Sequence, residues 1–309
     1  MERYYCGIDI GGTSAKMCLY SAGRDEFVKE WDVPTCKASD EMIIIDRIIK
    51  SLYDTCESES IKYENISGIG IGIPGPVTDD GVVLKCANLG WDIVELKKIM
   101  CEKTGLCNVE VANDANVAAL GEQWRGSARN YKSIVMVTLG TGVGGGIIIN
   151  GKIHTGHKGA AGEIGHITVE PDEEEVCGCG CHGCLEQYAS ATGIVRLAKK
   201  LFPDKYLSGA VSAKDIFDGA KSGDESALCI VGMFSKYLGT ALSNVAAVMS
   251  PEAFVIGGGV ANAGGIITEG VKEYYREYSM YALKDTPIEL AQLGNRAGMY
   301  GSVKMVLEK

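Results

Sequence analysis

Tyr4-Tyr-Cys-Gly-Ile-Asp9-Ile-Gly11-Gly12-Thr13-Ser-Ala-Lys16-Met-Cys-Leu-Tyr20 is a β-rich run, a glycine turn and a second run of alternating polarity. The same device recurs in Ile134-Val-Met-Val-Thr138-Leu-Gly140-Thr141-Gly142-Val-Gly144-Gly-Gly146-Ile-Ile-Ile149, closed by Asn150-Gly151. Each reads as strand, Gly/Thr turn, strand, which is a hairpin and not a strand-to-helix crossover. Asp9 stands at a strand end. Gly11 and Gly12 let backbone N–H groups approach phosphate oxygens without a Cβ in the way, and the Thr13 hydroxyl and Lys16 ammonium follow. Thr138, Gly140, Thr141 and Gly142 repeat the arrangement. Gly257-Gly258-Gly259, after a strand over Glu252 to Ile256, offers a third turn able to accept a nucleotide's base and ribose. One glycine turn alone is more often only a turn, but three in this order point to a nucleotide.

Other nucleotide folds fail on inspection. No G-x-x-x-x-G-K-[ST] occurs, and the Gly140 to Gly146 run continues into Ile147-Ile-Ile149 and so opens no Rossmann helix. Protein-kinase signatures are also missing. Between the hairpins lie an amphipathic stretch from Met42 to Tyr53, a strand from Ile66 to Ile73 ending in Pro74-Gly75-Pro76, and the apolar run Val109-Glu-Val-Ala112. A helix then runs from Asn113-Asp114 to about Trp124. Later helical patterns cover Tyr188 to Leu201, Glu225 to Met249, Ile266 to Tyr275 and Ala297 to Leu307. This mixture predicts an α/β protein, and the duplicated hairpin predicts two similar lobes.

Cys177-Gly-Cys179-Gly-Cys181-His182-Gly-Cys184-Leu-Glu186, with Glu163-Ile-Gly-His166 upstream, gathers four of the twelve cysteines and two of the four histidines. Thiolates and imidazole at this density form a zinc-ligand set, because Zn²⁺ takes four S/N donors tetrahedrally. The flanking carboxylates are not required by a purely structural zinc site. Taken singly, Glu163 and Glu186 read as surface carboxylates.

The chain has 309 residues, 46% hydrophobic and 23% charged, enough for a large core in one or two domains. A net charge of -10 without Lys/Arg clusters argues against nucleic-acid or anionic-membrane partners, so an anionic ligand must be held locally. The first residues show no secretory pattern and no apolar run has the length of a membrane span, which predicts a cytoplasmic protein with reduced thiols. The acidic run Asp172-Glu-Glu-Glu175 reads as a solvated loop.

The chain resembles the ROK sugar kinases, and among them the bacterial ATP-dependent glucokinases. The matching residues are Asp9-Ile-Gly-Gly-Thr13, Asn88-Leu-Gly-Trp91, Asn113-Asp114-Ala-Asn116, Leu139 to Gly146, Glu163-Ile-Gly-His166, Cys177-x-Cys179-Gly-x-x-Gly-Cys184-x-Glu186, Ala191-Thr-Gly193 and Gly257-Gly-Gly259, in family order. The resemblance implies the actin/hexokinase/Hsp70-like ATPase fold: two lobes, each with a five-stranded mixed sheet, around an interlobe cleft. We expect a small lobe over residues 1–112, to which a C-terminal helix at about 297–309 returns, and a large lobe over 113–296 carrying the zinc knuckle.

By the same resemblance Asp114 is the catalytic base, although local sequence alone reads Asn113 or Asp114 equally well as a helix N-cap. Asn88, Asn113, Asp114, Glu163, His166 and Glu186 contact a hexose, with Gly75 backbone nearby. Asp9 holds Mg²⁺ through water, and the three glycine turns hold ATP. His166, Cys177, Cys179 and Cys184 bind a structural Zn²⁺, leaving Cys181 and His182 at variable positions as competing donors or redox-sensitive bystanders. Kinases for N-acetylmannosamine, N-acetylglucosamine, fructose or allose are the alternatives within the family. A sugar-responsive repressor would need a DNA-binding domain ahead of the first hairpin, for which residue 4 leaves no room, and a non-catalytic sugar sensor would be expected to lose Asp114 or the phosphate turns. A homo-oligomer, dimer or tetramer, is expected.

Overall fold

The computed structural model describes residues 2–35 and 41–307. Among the described residues the strands are β1 Tyr4–Ile10, β2 Ser14–Ser21, β3 Glu26–Pro34, β4 Ile66–Ile73, β5 Val109–Asn113, β6 Ile134–Leu139, β7 Val143–Ile149, β8 Lys152–Ile153, β9 Ala253–Gly257 and β10 Ile288–Leu290. The helices are α1 Glu41–Ser58, α2 Leu96–Thr104, α3 Asp114–Arg125, α4 Glu186–Ala189, α5 Ala191–Leu201, α6 Pro203–Tyr206, α7 Ala213–Lys221, α8 Glu225–Met249, α9 Gly265–Tyr278 and α10 Ala297–Leu307. They build two five-stranded sheets, in the orders β3-β2-β1-β4-β5 and β10-β9-β6-β7-β8.

The chain divides into two compact units, Met1–Arg129 with Gly146–Ala161 and Asn295–Lys309, and Asn130–Gly145 with Gly162–Gly294. The first unit therefore extends past residue 112 and takes in α3 as well as the segment 146–161. The cause is a backbone-to-backbone crossing of α3 and α10: a Cβ placed at Gly301 would lie 1.8 Å from the Val117 carbonyl oxygen.

In this unit β1 pairs antiparallel with β2 and parallel with β4. Strand alternation then sorts the side chains of β1. Cys6, Ile8 and Ile10 enter the core with Ile44, Ile45 and Ile48 of α1, while Tyr5 packs with Met299, Val303 and Val306 of α10. Asp9 falls on the α10 face, where a Cβ at Gly298 would come within 2.4 Å of its Oδ2.

In the second unit β9 runs parallel to β6 and β10 parallel to β9. The long α8 packs on α9, α7, α5 and α4, and Asp224 caps it by accepting from the Ala227 N–H. By length and composition α8 alone among the described residues could cross a bilayer, yet 56% of its most apolar window is buried within the protein.

The crossing and the open surface of α8 give opposite expectations for two glycines. Gly301→Ala should destabilise by about 2–3 kcal/mol in urea unfolding, because a carbonyl cannot move aside. Gly232→Ala in α8, which meets no atom within 4 Å, should stabilise by about 0.5–1 kcal/mol. Two changes of the same sign would contradict this packing.

Candidate active site

In the first unit the β1–β2 turn is closed by the Gly11 N–H donating to the Ser14 carbonyl at 2.9 Å. Thr35 braces it from the end of β3: its hydroxyl donates to the Gly11 carbonyl at 2.8 Å and its N–H to the Thr13 carbonyl at 3.0 Å. Nothing in the linear sequence linked Thr35 to the turn. Gly12 and Thr13 are exposed, and Asn88, also exposed, stands beside Gly12, where a Cβ would lie 3.6 Å from the Asn88 Cβ.

Asn113 is the N-cap of α3; its Oδ1 accepts from the N–H groups of Ala115 at 3.0 Å and Asn116 at 3.2 Å. Asp114 is the first residue of the helix. Its Oδ1 accepts from the Ala115 N–H at 2.8 Å and from Asn113 Nδ2 at 3.0 Å, and Asn113 Nδ2 also donates to the Gly75 carbonyl at 3.2 Å. Capping and presentation of a carboxylate are thus divided between two adjacent residues. Burial raises the pKa of Asp114, opposed by these donors. Asp9 rises to about 6, through burial first and the charge of Asp114 second, against Lys16 across the β1–β2 pair. Asn116, the last residue of that motif, is buried and accepts from the Ile147 N–H at 3.3 Å.

In the second unit the Gly140 N–H donates to the Gly142 carbonyl at 2.9 Å, closing this turn one residue more tightly than the first. Thr138 pairs in register with Gly257, so the Gly257–Gly259 turn adjoins the end of β6. A pocket of about 450 Å³ opens there, with Gly140, Thr141 and Gly259 at one end and Phe217, Asp218 and Lys214 of α7 along the wall. The sequence reading did not reach α7, although its Ser212-x-x-Asp215 capping box was legible.

The four side chains His166, Cys177, Cys179 and Cys184 place their donor atoms within 4.8 Å of one another. Cys179 Sγ lies 3.6 Å from Cys184 Sγ, and Cys177 Sγ 3.9 Å from His166 Nδ1. A tetrahedron with zinc–sulfur bonds of 2.3 Å has edges of about 3.8 Å, so the donor set fits zinc. Cys181 and His182 are exposed and outside this group; His182 instead bridges Val176. His166 turns its Nε2 toward Glu163, 3.9 Å from Oε2. The Glu163 to His166 segment lies against β7 so closely that a Cβ at Gly165 would be 2.3 Å from the Val143 carbonyl oxygen. Glu186 accepts from the Val143 N–H at 2.9 Å.

One sequence expectation is corrected. Glu173, in the acidic run read as a solvated loop, is buried. The Arg196 guanidinium, first among its partners, holds its carboxyl far below the usual range. The acidic run thus includes a buried ion pair, invisible to local composition because Arg196 follows on α5.

Two sheets each carrying a ββ glycine turn, with half-buried carboxylates in one unit and a Cys₃His donor group in the other, define an α/β protein of the actin and hexokinase ATPase fold. The ROK family pattern matches residues 5–309. The chain belongs to the ROK family. It is 41% identical to the glucokinase of Halalkalibacterium halodurans, over 100% of this chain and 96% of that protein. The ROK hexokinase of Thermus thermophilus superposes with a TM-score of 0.85 at 30% identity, over 100% of this chain and 98% of that one. A ROK family glucokinase from Streptomyces griseus, solved in complex with glucose and AMPPNP, gives 0.77 at 30% identity over 99% and 100% of the two chains.

The carboxylate pair yields a pH-dependent expectation. The fold retains the Asp9 proton up to about pH 6, whereas an unfolded chain releases it near 3.8, so stability falls as pH rises through that window. Asp9→Asn should therefore melt above the parent at pH 7, by the equivalent of up to about 3 kcal/mol, with the gap closing near pH 4. A gap independent of pH would contradict the assignment.

Proposed function

We propose that this chain transfers the γ-phosphate of ATP to the 6-hydroxyl of glucose, giving glucose 6-phosphate and ADP. The observation that carries the reading is Asp114, a half-buried carboxylate fixed through Oδ1 at the start of α3. In the proposed reaction its Oδ2 accepts the proton of the sugar hydroxyl as that oxygen attacks the γ-phosphorus. Phosphoryl transfer leaves a protein mainly positioning and charge stabilisation, so a carboxylate already held in place is sufficient as base. The whole-length match to glucokinases supports the same reading.

Asn88, Asn113, Glu163, His166 and Glu186 would bind the hexose hydroxyls, with Gly75 backbone beside Asn113. Leaving a buried polar group unpaired costs about 1–3 kcal/mol, which is why so many polar groups are needed for one sugar. The turns at Gly11–Thr13 and Gly140–Gly142 would hold phosphates, and the pocket between Gly259 and α7 the base and ribose. A magnesium ion bound with the nucleotide, held through water by Asp9, would neutralise charge on the phosphate oxygens. Zinc on His166 Nδ1, Cys177, Cys179 and Cys184 would fix the histidine tautomer and leave Nε2–H to donate toward the sugar. The thiolates suit a reducing cytoplasmic compartment.

An ADP-release assay across glucose, N-acetylglucosamine, N-acetylmannosamine, fructose and allose tests the substrate. Glucose should give the highest kcat/KM, and a preference for an N-acetyl sugar would overturn the choice. Asp114→Asn should lower kcat by about 10³-fold with glucose affinity changed only severalfold. Cys179→Ala should lose zinc and glucose affinity together; unchanged metal content and KM would refute that ligand set.

A further inference from the structure

The segment that follows the last cysteine donor holds the second glycine turn at three consecutive places. The Ala191 N–H donates to the Gly140 carbonyl at 2.8 Å, and the Thr192 hydroxyl to the Thr141 carbonyl at 2.9 Å. The Glu186 carboxylate lies over Gly142, where a Cβ would come within 2.3 Å of it, and accepts from the Val143 N–H at 2.9 Å. Glu186 is two residues from Cys184, so any displacement of that donor is delivered to the turn almost directly.

Arg196 fixes the same segment from behind. Its Nε donates to the Gln187 carbonyl at 3.2 Å, while its two terminal nitrogens reach Glu175 and the buried Glu173, each at 2.8 Å. Glu173 also accepts from the Tyr188 hydroxyl at 2.6 Å. One planar guanidinium therefore pins the chain on both sides of the cysteine donors, a geometry that a lysine ammonium cannot reproduce.

We propose that the metal knuckle and the second glycine turn form one mechanical unit, with Glu186 as the link and Arg196 as a positioning residue, so that metal occupancy sets nucleotide affinity even without sugar. The proposal rests on the kinase reading above. A hydrogen bond from a backbone N–H to a carboxylate is among the stronger kinds, and its loss frees the turn that would cradle phosphate. A metal that served only the sugar side would leave nucleotide binding untouched.

Calorimetric titration of the whole protein with Mg²⁺ and ADP, sugar omitted, tests this in zinc-loaded and chelator-stripped protein. Stripping should raise the ADP Kd about tenfold. In Glu186→Ala the Kd should already be raised, and stripping should change it less than about twofold because the link is cut. Arg196→Met should keep its zinc, by atomic absorption, yet raise the ADP Kd about three- to tenfold, with Arg196→Lys recovering only part. Equal affinity with and without zinc in the parent, or an undiminished zinc effect in Glu186→Ala, overturns the coupling. If circular dichroism shows that stripping unfolds the protein, the two variants decide in loaded protein: unchanged ADP affinity in both overturns the proposal. Absence of ADP binding by the loaded parent would overturn the kinase reading itself.

Discussion

The second unit depends on closing the chain between Gly162 and Leu185, where the only regular element is one short turn at Ile164–His166. A loop of that length has little core of its own and needs a staple. Two are present. The Cys₃His donor group gathers residues 166, 177, 179 and 184, and the Glu173–Arg196 pair ties the intervening acidic loop to α5. Removing one partner of a buried ion pair is costly because the other charge stays uncompensated. The loop is thus held at both ends, with Glu163 and Glu186 just outside the donor group.

The first unit solves a different problem, which is to hold two half-buried carboxylates near one another. Asp114 is supported by backbone and amide donors, whereas Asp9 sits on the α10 face with Lys16 as its favourable partner. Burial pushes both carboxyls up, and at Asp9 the charge of Asp114 adds to it. In the proposed reaction a metal-bound nucleotide would favour the charged form of Asp9, linking nucleotide binding to its ionisation.

Much of this organisation was legible in the chain. Both ββ turns, the start of α3 at Asp114, and α8 over Glu225–Met249 appear where glycine placement, capping and apolar period put them. The donor residues at 166, 177, 179 and 184 come together as their motif suggested. What stayed hidden was the tertiary part. Thr35 clamps the first turn from just past the end of β3, Glu173 is buried by an arginine on another element, and α7 lines a pocket although its sequence shows only a helix cap. The first unit also claims α3 because Gly301 lets two helices touch at their backbones, a constraint that only packing reveals.

X-ray absorption at the zinc edge of the purified protein, with and without glucose, is the most direct test of the proposal that one Cys₃His zinc site organises the second unit. The account predicts one zinc per chain with three sulfur neighbours at about 2.3 Å and one nitrogen at about 2.0 Å, unchanged in number by the sugar. Four sulfurs would bring Cys181 into the site, and an oxygen-rich shell or substoichiometric zinc would contradict the claim outright.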